Sequence, residues 1–248
     1  MSKNTSFSSL SLALIVFCSA VLSGCAMLGP APAKFVLPGD ERDAPQMPFA
    51  GLEAETAALS ALAGGYPVRL EDTAQKREAY ARWLEALLDA RAYLKSEGET
   101  ERVLTVLAKL YRQGHNMDVE GAGSLAVESV DFCLAKYPRS RNCHFAAAYL
   151  FLVVSPEPQY LTKAENSLKI LQNSYMPKAR EDVEDALVYL YAYQRKNAAA
   201  LKQIDRYLAI FPKAAKRETF LRLKAALKEK RQDIYPGSDF PGPSGVWR

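Results

Sequence analysis

Histidine is almost missing from this chain, which carries only His115 and His144 in 248 residues. So little imidazole leaves few ways to build a zinc site or a histidine-based general base. The sequence also lacks a Gly-rich phosphate loop, a His-Glu-x-x-His and a Gly-x-Ser-x-Gly, so nucleotide binding and the commonest hydrolase arrangements have no motif behind them. Strand signals are scarce: there are no alternating Val/Ile/Thr runs and no Asn-Gly or Asp-Gly hairpin turns. No single sign of charge dominates either, since 24% of residues are charged and the net is +4. A balance that mild argues against nucleic acid, which needs a strong basic stripe. These gaps lead us to expect no enzyme, no cofactor and no metal.

What is present begins at the N-terminus. Lys3 is the only charge before an apolar run from Leu10 to Leu22, and Ser23 and Gly24 then precede Cys25. An apolar run of about 13 residues is too short to span a bilayer, which takes roughly 20, and the layout reads as a secretory signal over residues 1–24. Leu22-Ser23-Gly24-Cys25 resembles the bacterial lipobox. That resemblance implies cleavage before Cys25, lipidation of its thiol and acylation of the new amine, which together anchor a chain stably. Ala26 stands where enterobacterial lipoproteins kept at the inner membrane carry Asp, so the resemblance favours the outer membrane, facing the periplasm. Loss of the signal with Lys3 lowers the net charge from +4 to +3.

Proline marks the boundaries of the domain. Eight of the fourteen prolines fall in two segments, Pro30, Pro32, Pro38, Pro45 and Pro48 near the start and Pro236, Pro241 and Pro243 near the end. Pro-rich chain holds no helix and builds no core. Residues 25–50 therefore read as a flexible, lipid-anchored tether, 51–234 as one all-α domain, and 235–248 as a disordered Pro/Gly tail. The tail still carries groups able to dock on a surface: Phe240, Val246, Trp247 and Arg248.

Between the boundaries the apolar spacing is helical. Helices are expected over 52–63, from Asp72 or Thr73 past Leu94, and after Gly98 to near Gly114. Others follow over 122–137, 142–154, 159–174, 180–195, 198–211 and 214–232. The stretch 142–154 is apolar nearly all round, as a helix buried on most sides must be. The last, with Phe220, Leu221, Leu223 and Leu227 on one side and Lys and Arg elsewhere, suits a capping helix.

Three helix ends are alike. Leu134, Leu171 and Leu208 lie 37 residues apart, each followed by an aromatic residue and a proline. Upstream stand matching series: Ala126–Val130–Cys133, Ala164–Leu168–Leu171 and Ala200–Ile204–Tyr207. Such a period in paired helices indicates a stacked array, because each pair buries its apolar face only against its neighbours. The sequence here resembles the tetratricopeptide repeat, in copies near 101–138, 142–177 and 181–214. It departs from the family pattern at Glu184, where Trp is preferred, and Val188, where Gly or Ala is. The resemblance implies an all-α helical-hairpin solenoid that binds other proteins along the first helices of its pairs. Carried over, the groove positions are Arg102, Lys109 and Arg112, then Ala146, Leu150 and Val153, then Asp182, Asp185, Tyr189 and Tyr193. That groove has a basic end, an apolar middle and an acidic, tyrosine-bearing end.

Cys18 leaves with the signal and Cys25 takes lipid, so Cys133 and Cys143 remain as a pair in an oxidising compartment. One sits a turn before a helix end and the other a turn into the next helix, so a disulfide is feasible; two buried thiols remain the alternative. Cys143-His144 does not make a catalytic pair, because adjacent helical side chains diverge by about 100°. His115 is expected on the surface at a helix end, and Asp182 and Asp185 on a solvated first turn. The chain then reads as a lipid-anchored scaffold for envelope proteins such as a pilus, a secretion system, outer-membrane protein assembly or a transporter. The alternative is an accessory of solute uptake whose helix 142–154 lines a cavity for a small apolar ligand.

Overall fold

Helix boundaries fall where the chain supplies caps and breakers. The computed structural model describes residues 35–230, apart from Val36, Asp40, Glu41, 66, 67, 69–72 and Pro156. The signal, Cys25 and the Pro/Gly tail lie outside the described residues. Helix α1 runs Phe49–Ala63, α2 Thr73–Glu97, α3 Glu101–Asn116 and α4 Ala122–Lys136. Then come α5 Arg141–Val153, α6 Pro158–Ser174, α7 Glu181–Tyr193, α8 Asn197–Ile210 and α9 Arg217–Lys228. Gly98, at φ 71°, takes the left-handed conformation that closes α2. Thr100 then caps α3, its hydroxyl accepting from the Val103 amide, and Ser140 does the same for α5 at Cys143. Pro158 opens α6 at its first turn, where no amide donor is needed.

The described helices belong to one compact unit. It is all-α and built from consecutive pairs: α1 with α2, α3 with α4, α5 with α6, α7 with α8, and α9 closing on α8. The first helices also pack in a row, α1 on α3, α3 on α5 and α5 on α7, while each second helix packs on the next first helix. Two layers result, an inner row of α1, α3, α5 and α7 and an outer row of α2, α4, α6 and α8. The series that betrayed the period do the outer packing: Ala126, Val130, Cys133, Ala164, Leu168, Leu171, Ala200, Ile204 and Tyr207 are all fully buried.

Helix α3 ends near Gly114 as expected, at Asn116, and the glycine serves packing: a Cβ there would stand 2.5 Å from Cζ2 of Trp83. Trp83 is fully buried and its indole N–H donates to the Leu110 carbonyl at 2.6 Å. Two expectations of the fold are corrected. The tether is shorter than its prolines imply. Phe35 stacks on Tyr80 at 4.2 Å, Arg42 pairs with buried Asp89, and Asp89 accepts from the Gln46 and Met47 amides. Residues from Phe35 onward are thus tied along α2 by groups that a composition argument overlooks. His115 is half-buried rather than on the surface, with its ring against Gly123, and burial lowers its pKa below the usual histidine value.

Candidate functional site

The inner row converts the sequence of α3, α5 and α7 into one continuous face. Helix α3 supports α1 by capping its C-terminal carbonyls. Arg112 donates to the Gly64 carbonyl at 2.6 Å and Asn116 to that of Ala63 at 2.8 Å, while Gln113 ties to the middle of α1 through the Thr56 carbonyl at 2.9 Å. Orphan carbonyls at a helix end need such partners. Arg112 is fully buried, and burial lowers its pKa to about 10. Among the described residues no carboxylate pairs with it, and one of its terminal nitrogens has no hydrogen-bond partner.

The same helices line a pocket of about 200 Å³, whose lining includes Glu53, Thr56 and Ser60 of α1, Lys109 of α3, Asn142 and Phe145 of α5, and Arg180. Arg180 is fixed from several sides. Its guanidinium donates to both oxygens of Asp182, at 2.9 and 2.5 Å, and to the Tyr175 hydroxyl at 3.2 Å. It also lies 4.6 Å from the Phe145 ring centroid and 5.0 Å from that of Tyr175, where the ring quadrupoles attract a cation. The Asp182 hydrogen bonds raise its pKa, so it stays charged. Lys109 is shifted the other way, by burial first and by Arg112 second.

The groove positions carried over from the repeat are distributed unevenly. Arg102 is exposed and stacks 3.6 Å over the Phe49 ring. Lys109 lines the pocket. Arg112, Ala146, Leu150, Asp185 and Tyr189 are buried, while Val153, Asp182 and Tyr193 are partly buried. The acidic end is also compensated within the chain, because Arg180 holds Asp182 and Lys216 holds Asp185 at 2.7 Å. The expectation of a solvated acidic turn fails for Asp185, whose side chain is 1% exposed. Burial raises the Tyr189 and Tyr193 hydroxyls above their ordinary pKa, with Asp185 adding to both, so neither ionises near neutral pH.

Sequence reasoning missed Arg180, Tyr175, Asn142 and the α1 contribution. Arg180 and Tyr175 sit in the α6–α7 connection, and no repeat copy had been assigned to α1. The signal that was available is Arg180 next to two first-turn acids, a sequence that places a guanidinium at carboxylate distance.

The other chemical candidates resolve into structure. Cys133 and Cys143 are disulfide-bonded, with Cα atoms 5.7 Å apart. His144 is buried between the Ser167 hydroxyl at 3.3 Å and the Pro138 carbonyl at 3.1 Å. Glu184, the departure from the repeat's preferred Trp, is a buried hub. It accepts from Arg206 at 2.9 and 3.1 Å, from Gln172 at 3.1 Å and from Gln203 at 2.6 Å, joining α6, α7 and α8. Burial alone would raise its pKa, but these donors bring it below the ordinary carboxylate value. Among the described residues no group of three or more His, Cys, Asp or Glu is placed to hold a metal, and no helix is long and apolar enough to cross a membrane. No protein-family model matches the chain, and no curated protein or solved structure does either.

Proposed function

We propose that this chain is an exported lipoprotein, anchored to the outer membrane through lipid on Cys25 and facing the periplasm. There its tetratricopeptide-like array serves as a scaffold that binds protein partners in an envelope assembly, of the kind a pilus, a secretion system, outer-membrane protein assembly or a transporter represents. The observation that carries the binding reading is the inner-row pocket of Lys109, Asn142, Phe145 and Arg180, with its cations and aromatic rings side by side. At about 200 Å³ it falls below the roughly 300–1,000 Å³ of a small-molecule site. It is suited instead to one side chain of a protein ligand, with charges around the rim supplying specificity.

Other features support the placement. Leu22-Ser23-Gly24-Cys25 follows an apolar segment of signal length, and a bonded cysteine pair fits an oxidising compartment. The alternative, a small apolar ligand lined by α5, has less behind it: Leu150, Phe151 and Leu152 are packed into the core with 1% exposure or less.

The test is photo-crosslinking in the native cell from a probe at exposed Asn142, with exposed Lys228 on α9 as control, followed by mass spectrometry. The expected result is a single envelope protein captured from Asn142 and not from Lys228. Capture of nothing at Asn142 by a folded, membrane-associated chain would contradict the scaffold reading. The anchor is tested separately: Cys25→Ala should abolish lipidation and release the protein from the membrane fraction, and unchanged processing and fractionation would refute lipid attachment.

A further inference from the structure

The turns that join one helix pair to the next lie side by side along one end of the array. Tyr137, in the α4–α5 turn, donates its hydroxyl to the Glu99 carbonyl in the α2–α3 turn at 3.0 Å. Arg141, at the start of α5, donates to the Ser174 carbonyl at the end of α6 at 2.9 Å. Lys216, between α8 and α9, pairs with Asp185 near the start of α7 at 2.7 Å. Three of these turns repeat one composition: Tyr137-Pro138-Arg139, Tyr175-Met176-Pro177-Lys178 and Phe211-Pro212-Lys213. In each the aromatic ring is half-buried while the proline and the cation are exposed. The acids nearby are already held, Glu99 by Lys136, Asp182 by Arg180 and Asp185 by Lys216. Among the described residues no carboxylate pairs with Arg139, Lys178 or Lys213.

We propose that this edge docks an extended, acidic segment of a protein partner, with one carboxylate for each of Arg139, Lys178 and Lys213. The packing sets the spacing. Helices α5 and α7 pack on one another, and neighbouring helices stand about 8–10 Å apart, so successive turns present a cation roughly every 10 Å. A polyproline II segment rises about 3.1 Å per residue with three residues per turn. Acids at every third position of such a segment therefore share one face at intervals of about 9 Å. The half-buried ring and exposed proline beside each cation give its apolar positions a surface to lie against. A lipid surface is the rival anion. The described chain, however, enters the helices at the other end, where the Glu120 amide of the α3–α4 turn donates to the Phe35 carbonyl at 3.4 Å. Helices of 13 to 17 residues, as α5 and α6 are, keep the two ends roughly 20–25 Å apart. A chain anchored ahead of Phe35 thus turns the cation row away from the end that leads to its attachment. The choice of protein over lipid rests on the anchor reading, whereas the cation row itself does not.

Fluorescence anisotropy of a labelled peptide of four Glu-Pro-Pro units, added to the full chain, tests the row. A peptide of the same composition with its glutamates consecutive is the control. Exposed ion pairs are weak singly and screened by salt, so the row works by number. Joint replacement Arg139→Glu, Lys178→Glu and Lys213→Glu should weaken binding about tenfold or more at low ionic strength. Far-UV circular dichroism should not change, because all three side chains are exposed. The control peptide should bind the parent chain several-fold more weakly. Equal binding by parent and triple variant would overturn the proposal, and equal binding of the two peptides would overturn the match to an extended segment. Sedimentation with vesicles at physiological ionic strength decides the lipid alternative. The parent chain should favour phosphatidylglycerol no more than phosphatidylcholine, and a preference for phosphatidylglycerol that the triple variant loses would overturn the choice of a protein. Capture from Asn142 reports the scaffold reading and peptide binding reports this edge, so the two can fail separately.

Discussion

Inner helices α3, α5 and α7 and outer helices α4, α6 and α8 are of similar length, yet they bury themselves in different ways. The outer helices bury one stripe: Ala122, Ala126, Val130 and Cys133 in α4, and Ala200, Gln203, Ile204 and Tyr207 in α8. Their other faces meet water, with Phe132 and Ile170 partly exposed. The inner helices are buried almost all round and carry most of the buried polar groups, including Arg112, Gln113, His144, Glu184 and Asp185. One layer follows the amphipathic rule and the other departs from it. The difference shows where the array gets its stability and where it holds its chemistry.

The largest expected effect lies in the inner row. Phe151→Ala removes a fully buried ring from α5 and should cost about 3–5 kcal/mol in denaturant unfolding. Next comes the hub between the layers. Glu184→Ala strands Gln203 and Arg206 and should cost about 3 kcal/mol, less than the upper range for a buried pair because Arg206 is 42% exposed. Gln172→Ala, which removes only one donor to Glu184, should cost much less. Cys133 and Cys143 link α4 of the outer row to α5 of the inner row. Their joint replacement by Ala should cost about 2–3 kcal/mol, as expected for a short closed loop, and reduction should lower the unfolding midpoint of the parent chain alone. Ile170→Ala, on the open face of α6 at 45% exposure, should change stability by no more than about 0.5 kcal/mol. An Ile170→Ala loss as large as that of Phe151→Ala would erase the distinction between the rows.

Acid adds a smaller test. Glu165 of α6 is held to about 2 against an ordinary value of 4.5; burial opposes this, but hydrogen bonds from Lys169, Gln194 and Lys196 outweigh it. A carboxylate whose pKa is depressed on folding contributes stability above its unfolded pKa and loses it as pH falls through the folded one. Stability should therefore decline between about pH 4.5 and 2, and Glu165→Gln should flatten that decline in unfolding curves taken across the range. An unchanged slope in Glu165→Gln would remove Glu165 from the account.

The same contrast explains what the sequence makes legible. The outer stripes recur with a fixed spacing because every pair solves the same packing problem, so Ala164, Leu168 and Leu171 announce both the period and their burial. Helix ends were legible to within a few residues through breakers such as Gly98 and the prolines that follow Tyr137, Tyr175 and Phe211. The inner row obeys no such pattern. Tyr189 and Asp185 look like surface residues because one is polar-tipped and the other charged, yet their burial depends on Phe220 of α9 and on Lys216 just before it. Contacts between distant segments decide such positions, and a local pattern does not contain them. The pocket was missed for that reason, since α1, α3, α5 and the α6–α7 connection each supply part of it.

Hydrogen exchange on the intact protein tests the central contrast most directly, with α5 and α6 compared within their own hairpin. The account predicts that amides of α5 exchange only through global unfolding, while the solvent-facing amides of α6 exchange faster through local opening. Equal protection along both helices, or faster exchange in α5, would contradict an inner row that carries the stability of the array.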